Sequence, residues 1–144
     1  MLHLVGPVAA NVMRLSTVIA IVMLATAGPT RGADGRGTYF IGGGVGGIDC
    51  PHFVSTMDRA KALGLGSVGY TNETQGFLMY VIGFQTAYNV QTPRTCDIFA
   101  NFTSEQLLGW LENYCRAQPL ERFGTAVIAL AKEAHPRRSQ SCKR

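Results

Sequence analysis

The feature that most constrains this chain is an apolar segment that precedes all four of its cysteines. Residues 13–27 read MRLSTVIAIVMLATA, with one arginine, an apolar run and a small-x-small end. These are the three parts of a secretory signal. We therefore expect export, and an even set of cysteines in an oxidising compartment forms disulfides rather than metal sites or reactive thiols.

The same segment is too short to be a membrane anchor. Its apolar run covers about half of the ~20 residues needed to cross a bilayer, and Gly and Pro at 28–29 interrupt it at once. We expect cleavage after Ala27, with Ala33 as the less favoured site, and no membrane span in the mature form. Because residues 1–12 contain no Lys or Arg, we expect translation to begin at Met13.

Composition divides the chain into four parts. They are a signal peptide at 1–27, a glycine-rich flexible lead-in at 28–48, a helical domain at 49–136 and a basic tail at 137–144 that contains Cys142. The net charge of +4 is concentrated from Lys132 onward. Without interleaved aromatic residues this tail is interpreted as a solvated helix end rather than a nucleic-acid site.

Neither a nucleotide motif nor a catalytic set is convincing. Residues 42–47 satisfy G-x-G-x-x-G, but no βαβ unit follows, so we expect no cofactor. His52 has Asp49 and Ser55 three residues to either side, yet one helical turn does not provide the geometry of a catalytic triad. Metal-ligand spacings are also missing from the sequence. We expect a protein that is not an enzyme.

Apolar residues recur every three or four positions over four segments, which predicts an all-α, four-helix disulfide-bonded domain. The first helix covers 50–63. The second is expected to start at a cap formed by Asn72 and to reach Asn89. Thr103 with Gln106 predicts a capping box for the third, and Pro119 opens a fourth that ends at Pro136.

Most aromatic residues on these helices are expected in the core. Trp110 is the exception, because it lies at the edge of the apolar face, where an indole is half exposed and serves as an interface anchor. Together with Tyr114 and Phe84 it forms our candidate interface.

Several of these residues occur in patterns that resemble those of known protein families. Cys50-x-x-Phe53, Gly83-Phe84-x-x-Ala87 and Trp110-x-x-x-Tyr114-Cys115, followed by a helix after Pro119, resemble the HdeA/HdeB-type periplasmic acid-stress chaperones and the Rap1a/Tai-type immunity proteins. The similarity covers roughly residues 50–135. It implies a four-helix fold without a cofactor that binds a protein partner or client, with a homodimer as one option.

Four cysteines allow three pairings. The resemblance implies Cys50 with Cys115, which leaves Cys96 with Cys142. In an up-down bundle Cys96 and Cys142 lie on the same side. The same order separates Cys50 from Cys115 unless the first helix packs across the others.

The leading hypothesis is thus a periplasmic or secreted, non-enzymatic protein-binding domain of the chaperone or immunity type. The acid chaperones resemble one another in having one disulfide and many carboxylates, whereas this chain has four cysteines and dispersed acids. The alternative is an envelope-associated structural factor that binds anionic lipid through the basic tail. A small secreted hydrolase is the third hypothesis.

Overall fold

The structure is a computed structural model that describes residues 33, 36 and 38–142; the expected signal peptide at 1–27 lies outside the described residues. The described chain contains four α-helices and no strand, which confirms the all-α, disulfide-bonded fold. A compact unit begins at Phe40. Its helices are α1 (Cys50–Ala62), α2 (Val68–Gln91), α3 (Ser104–Ala117) and α4 (Phe123–Ala134), and its short 3-10 turns are Gly44–Gly47 and His135–Arg137.

Local capping fixes the start of two helices. The Asp49 carboxylate accepts the backbone N–H of His52 at 2.8 Å at the start of α1, where Pro51 follows in the first turn. At α3 the Thr103 hydroxyl accepts the Gln106 N–H, and the Gln106 side chain accepts the Thr103 N–H. The predicted capping box is therefore confirmed.

Two predicted helix starts are wrong. The second helix begins at Val68 rather than beside Asn72, because Ser67 accepts the Tyr70 N–H at 3.0 Å and the helix then runs through Gly69. The last helix begins at Phe123, not at Pro119. The Phe123 N–H donates to a carbonyl in the segment before α1, at 2.8 Å, so the residues just before α4 are extended.

Three phenylalanine rings from different helices form the centre of the core. Phe53 of α1, Phe77 of α2 and Phe123 of α4 have ring centroids 4.6–4.9 Å apart, in tilted and edge-on arrangements. Each is at most 6 % exposed. Such aromatic pairs add about 0.5–1.5 kcal/mol each beyond the burial of their area, so this cluster holds three of the four helices together.

The structure pairs Cys50 with Cys115, as the resemblance implied, and the two remaining cysteines, Cys96 and Cys142, with each other. The Cα atoms of Cys50 and Cys115 are 4.8 Å apart, and those of Cys96 and Cys142 are 5.3 Å apart. Both ends of α1 contact the last turns of α3, because Cys50 at its start bonds to Cys115 and Lys61 near its end pairs with Glu112. The first helix therefore packs across the end of α3, which removes the separation expected from a simple up-down order.

Part of the glycine-rich segment packs closely against α2 and α4. Gly46 is buried, and a Cβ added there would come within 2.6 Å of the Tyr80 ring. A Cβ on Gly124 would lie 2.9 Å from the Gly46 carbonyl oxygen. The segment nearest α1 therefore contributes to the packed unit, and burial raises the pKa of the Tyr80 hydroxyl that it covers.

The Cys50–Cys115 bond should contribute strongly to stability. It closes a loop with a sequence separation of 65 residues, so replacing both cysteines by serine should lower the free energy of unfolding by about 4 kcal/mol in the chain-entropy model. Urea denaturation measures the loss.

Non-reducing peptide mapping of the wild type should show this link and no free thiol; a Cys50–Cys96 link would contradict the pairing.

Close packing at Gly46 predicts a second stability effect. Gly46→Ala should destabilise the protein by about 1–3 kcal/mol, because the added methyl group overpacks the Tyr80 ring. Gly109→Ala is the matched control. A Cβ at Gly109 in α3 meets nothing within 4 Å, so this change should stabilise by about 0.5–1 kcal/mol. Equal thermal unfolding of the two variants would refute the packing argument.

Candidate functional site

A half-open cleft lies where α3 faces the chain that follows α4. Its volume is about 350 Å³. Both apolar and polar side chains line it. The apolar lining consists of Ile98, Phe102, Trp110 and Ala134, and the polar lining consists of Asn101, Gln106 and Arg137.

The capping box of α3 positions one wall of the cleft. It fixes the first turn of the helix, so Gln106 and Trp110, four residues apart, stand on the same face. The Gln106 side chain already accepts the Thr103 N–H at 2.8 Å. This hydrogen bond to the backbone therefore holds the polar side chain of Gln106 in place in the cleft.

Trp110 itself is held by two neighbours. Its indole N–H donates to the Glu133 carboxylate at 3.3 Å, and its ring stacks on Tyr114 with centroids 5.6 Å apart and planes 17° apart. Arg137 lies 3.6 Å from the same Glu133 carboxylate. The half-buried indole is thus fixed in orientation before any ligand arrives.

The loop between α2 and α3 forms a second wall of the cleft. The Asn89 side chain accepts the Ile98 N–H at 2.9 Å, and the Asn101 amide donates to the Arg137 carbonyl at 3.0 Å. These bonds tie the loop to the end of α2 and to the chain after α4. Both walls of the cleft are therefore anchored in the fold.

Only part of the predicted interface meets here. Trp110 lines the cleft, and Tyr114 stacks on the Trp110 ring. Phe84 does not line it: this half-buried residue of α2 packs with its ring 5.9 Å from that of Tyr88. The cleft residues Ile98, Phe102 and Arg137 were missed, because sequence spacing does not indicate which loop residues face α3.

The histidines take other positions. His52 is exposed in the first turn of α1, and Ser55, its supposed partner, accepts from Arg59 at 3.2 Å. His135 lies with Nδ1 2.7 Å from the Tyr88 hydroxyl. Within the described residues no three His, Cys, Asp or Glu side chains are grouped to hold a metal ion.

Much of the described basic tail is engaged within the fold. Arg138 donates to the Thr95 hydroxyl at 2.9 Å and to the His135 carbonyl at 2.8 Å. Residues 139 and 97 exchange backbone hydrogen bonds, and the second disulfide follows at Cys142. Among the described helices none is long and apolar enough to cross a membrane.

A buried ionic cluster was also missed. The Glu112 side chain on α3 is 4 % exposed; it accepts from Lys61 of α1 at 2.5 Å and from Arg116 at 2.7 Å. Arg116 also pairs with Asp58 at 2.5 Å. Hydrogen bonds to Glu112 and then Asp58 raise the pKa of Arg116. The i, i+4 spacing of Glu112 and Arg116 was the available signal.

No protein-family model, curated protein or solved structure matches this chain. Known proteins therefore assign no role to the cleft, and its function must be inferred from its geometry and chemistry.

Loss of the Glu112 charge should weaken the contact between α1 and α3. Glu112→Gln should lower the free energy of unfolding by about 2 kcal/mol, less than for a fully buried pair, because Lys61 and Arg116 are 44–45 % exposed and regain water. Glu73→Gln, which breaks the exposed pair with Arg59, is the control and should cost under ~0.5 kcal/mol. Similar losses in both variants would contradict the cluster's importance.

Proposed function

We propose that this is an exported, non-enzymatic binding protein of the periplasmic chaperone or immunity type, and that it holds its protein partner at the Trp110 cleft. The observation that carries the proposal is the preformed recess itself. Much of its lining is apolar, the Trp110 indole in that lining is held by Glu133, and Arg137 also lines it.

The cleft has the character of a protein-binding recess. Binding hot spots are enriched in Trp, Tyr and Arg and are centred on pockets that exclude water. Here Trp110, Tyr114 and Arg137 occur together. Because the two walls are anchored by hydrogen bonds, little side-chain freedom is lost when a partner's apolar side chain enters.

The resemblance to the HdeA/HdeB and Rap1a/Tai types supports the same class. The Cys50–Cys115 pairing that it implies is present, and the apolar segment at 13–27 together with two disulfides favours an oxidising, extracytoplasmic location. Of the two types, immunity is favoured. A second disulfide at Cys96–Cys142 ties down the tail and restricts the opening that a chaperone needs to expose apolar surface.

An acid trigger needs carboxylates whose stabilising charge is lost as the pH falls, and few carboxylates here meet that need. Hydrogen bonds from its own backbone N–H and then from Thr103 lower the pKa of Glu105. The stability from this ionised group is present above its unfolded pKa and is lost as pH falls through the lowered folded value. Since the group is almost fully exposed, the loss is small.

Partner capture tests the proposal. Mature wild type, Trp110→Ala and Leu120→Ala are immobilised and exposed to exported proteins of the source cell, and proteins retained are then titrated by calorimetry. Trp110→Ala should weaken binding by about 10–100-fold. Leu120→Ala, at a residue that is 99 % exposed and does not line the cleft, should leave binding unchanged.

Equal retention by all three variants would refute the role of the cleft.

A parallel measurement at pH 7 and pH 3 separates the two types within the proposal. An immunity-type protein should show little change in circular dichroism or hydrophobic-dye binding. A sharp rise in dye binding at pH 3, with suppression of client aggregation, would assign the chaperone type instead.

A further inference from the structure

The chain after α4 forms a strap that joins α4 to the loop between α2 and α3. Residues 136–142 make up this strap, and Arg137 within it lines the Trp110 cleft. None of the strap residues is buried. Since no side chain of the strap lies in the core, the strap is held in place by hydrogen bonds, an exposed ion pair and one covalent bond.

Hydrogen bonds connect the strap to the loop that forms the second wall of the cleft. The backbone groups of Ser139 and Asp97 exchange two bonds, at 2.9 and 3.2 Å, and the Cys96 N–H donates to the Ser139 carbonyl at 2.8 Å. The Asn101 amide donates to the Arg137 carbonyl at 3.0 Å. These bonds keep Arg137 beside the loop residues of the cleft.

A disulfide closes the strap at its far end. It joins Cys96 in the loop to Cys142 in the strap. Cys142 is exposed and Cys96 is half-buried, whereas Cys50 and Cys115 are 0 % and 1 % exposed. Thiol–disulfide exchange needs access of a thiolate to one of the sulfurs. A reductant therefore reaches the bond of the strap before it reaches the bond in the core.

We propose that the Cys96–Cys142 bond is a redox-controlled clasp. A dithiol reductant opens the clasp, the strap then leaves the loop, and the Trp110 cleft widens on that side. Exposed disulfides are the ones that exchange readily and serve regulation. An exported protein with a reactive dithiol is the class of reductant that this bond requires.

The exchange is balanced in two steps. One thiolate of the dithiol attacks Sγ of Cys142, the disulfide bond breaks, and Cys96 leaves as a thiolate that takes up a proton. The second thiolate of the reductant attacks the mixed disulfide and releases Cys142 as a thiol. Two electrons and two protons thus pass to the protein, and the reductant ends as a disulfide.

The release is confined to the strap. The loop keeps its own bonds to α2, because the Gln85 amide donates to the Asp97 carboxylate at 2.6 Å and the Ile98 N–H donates to the Asn89 side chain at 2.9 Å. A segment without buried contacts opens locally at a low free-energy cost. Reduction therefore frees one wall of the cleft while the four helices stay packed.

The regulatory meaning of the clasp rests on the proposed function, because it concerns the same cleft. Release of the strap and widening of the cleft are measured without a partner. Failure of the clasp and failure of the proposed function are therefore distinguishable.

Graded reduction tests which bond opens first. The native, oxidised protein is treated with dithiothreitol at neutral pH, free thiols are alkylated, and the peptides are mapped over time. Cys96 and Cys142 should be labelled at least about tenfold faster than Cys50 and Cys115. Equal labelling rates for the two pairs, or faster labelling of the core pair, would overturn the proposal.

Hydrogen–deuterium exchange tests the release of the strap. In the selectively reduced and alkylated protein, the amides of Ser139 and Asp97 should exchange at least about tenfold faster than in the oxidised protein, while the helices keep their protection. The double variant Cys96→Ser/Cys142→Ser should exchange like the reduced protein and should not respond to dithiothreitol. Unchanged exchange at these amides, or loss of protection in all four helices, would show that no local clasp exists.

Binding of the dye anilinonaphthalene sulfonate at neutral pH tests the widening of the cleft. The selectively reduced protein should bind at least about threefold more dye than the oxidised protein, because apolar lining is uncovered. Trp110→Ala should lower this rise, and Leu120→Ala, at a residue that does not line the cleft, should not. No rise on reduction, or a rise that both variants leave unchanged, would contradict control of the cleft by this bond.

Discussion

The covalent link between Cys50 and Cys115 is the constraint on which the rest of the fold depends. It fixes the start of α1 to the end of α3, and backbone hydrogen bonds beside it join the start of α1 to the start of α4. Three helix ends therefore meet at one point. With α1 held there, Phe53 packs against the rings of Phe77 and Phe123 in the core.

The buried Glu112 places a second, electrostatic requirement on the packing of α1 against α3. A carboxylate removed from water costs several kcal/mol unless it is paired and hydrogen-bonded. Lys61 from α1 and Arg116 from its own helix supply the pairing. Since Lys61 reaches Glu112 only when α1 lies across α3, the ionic cluster and the disulfide favour the same helix crossing.

The sequence predictions rested on signals between neighbouring residues. Contacts between residues distant in the chain could not be predicted in this way. The Thr103–Gln106 box involves neighbours and was predicted correctly. The start of α2 was misplaced because Gly69 weakens the helical signal, although Ser67 supplies a cap. The crossing of α1, the partners of Glu112 and the loop wall of the cleft depend on residues distant in the chain. The geometry of the candidate site therefore could not be deduced from spacing alone.

The position of Trp110 also gives the molecule an internal optical probe. It is the only tryptophan in the chain, and it lines the cleft with Tyr114 stacked on it and Glu133 at its indole N–H. Fluorescence excited at the red edge of the protein's absorption spectrum thus arises from Trp110 alone. Its wavelength and quenching report the polarity of the cleft directly, without a label and without interference from the remainder of the protein.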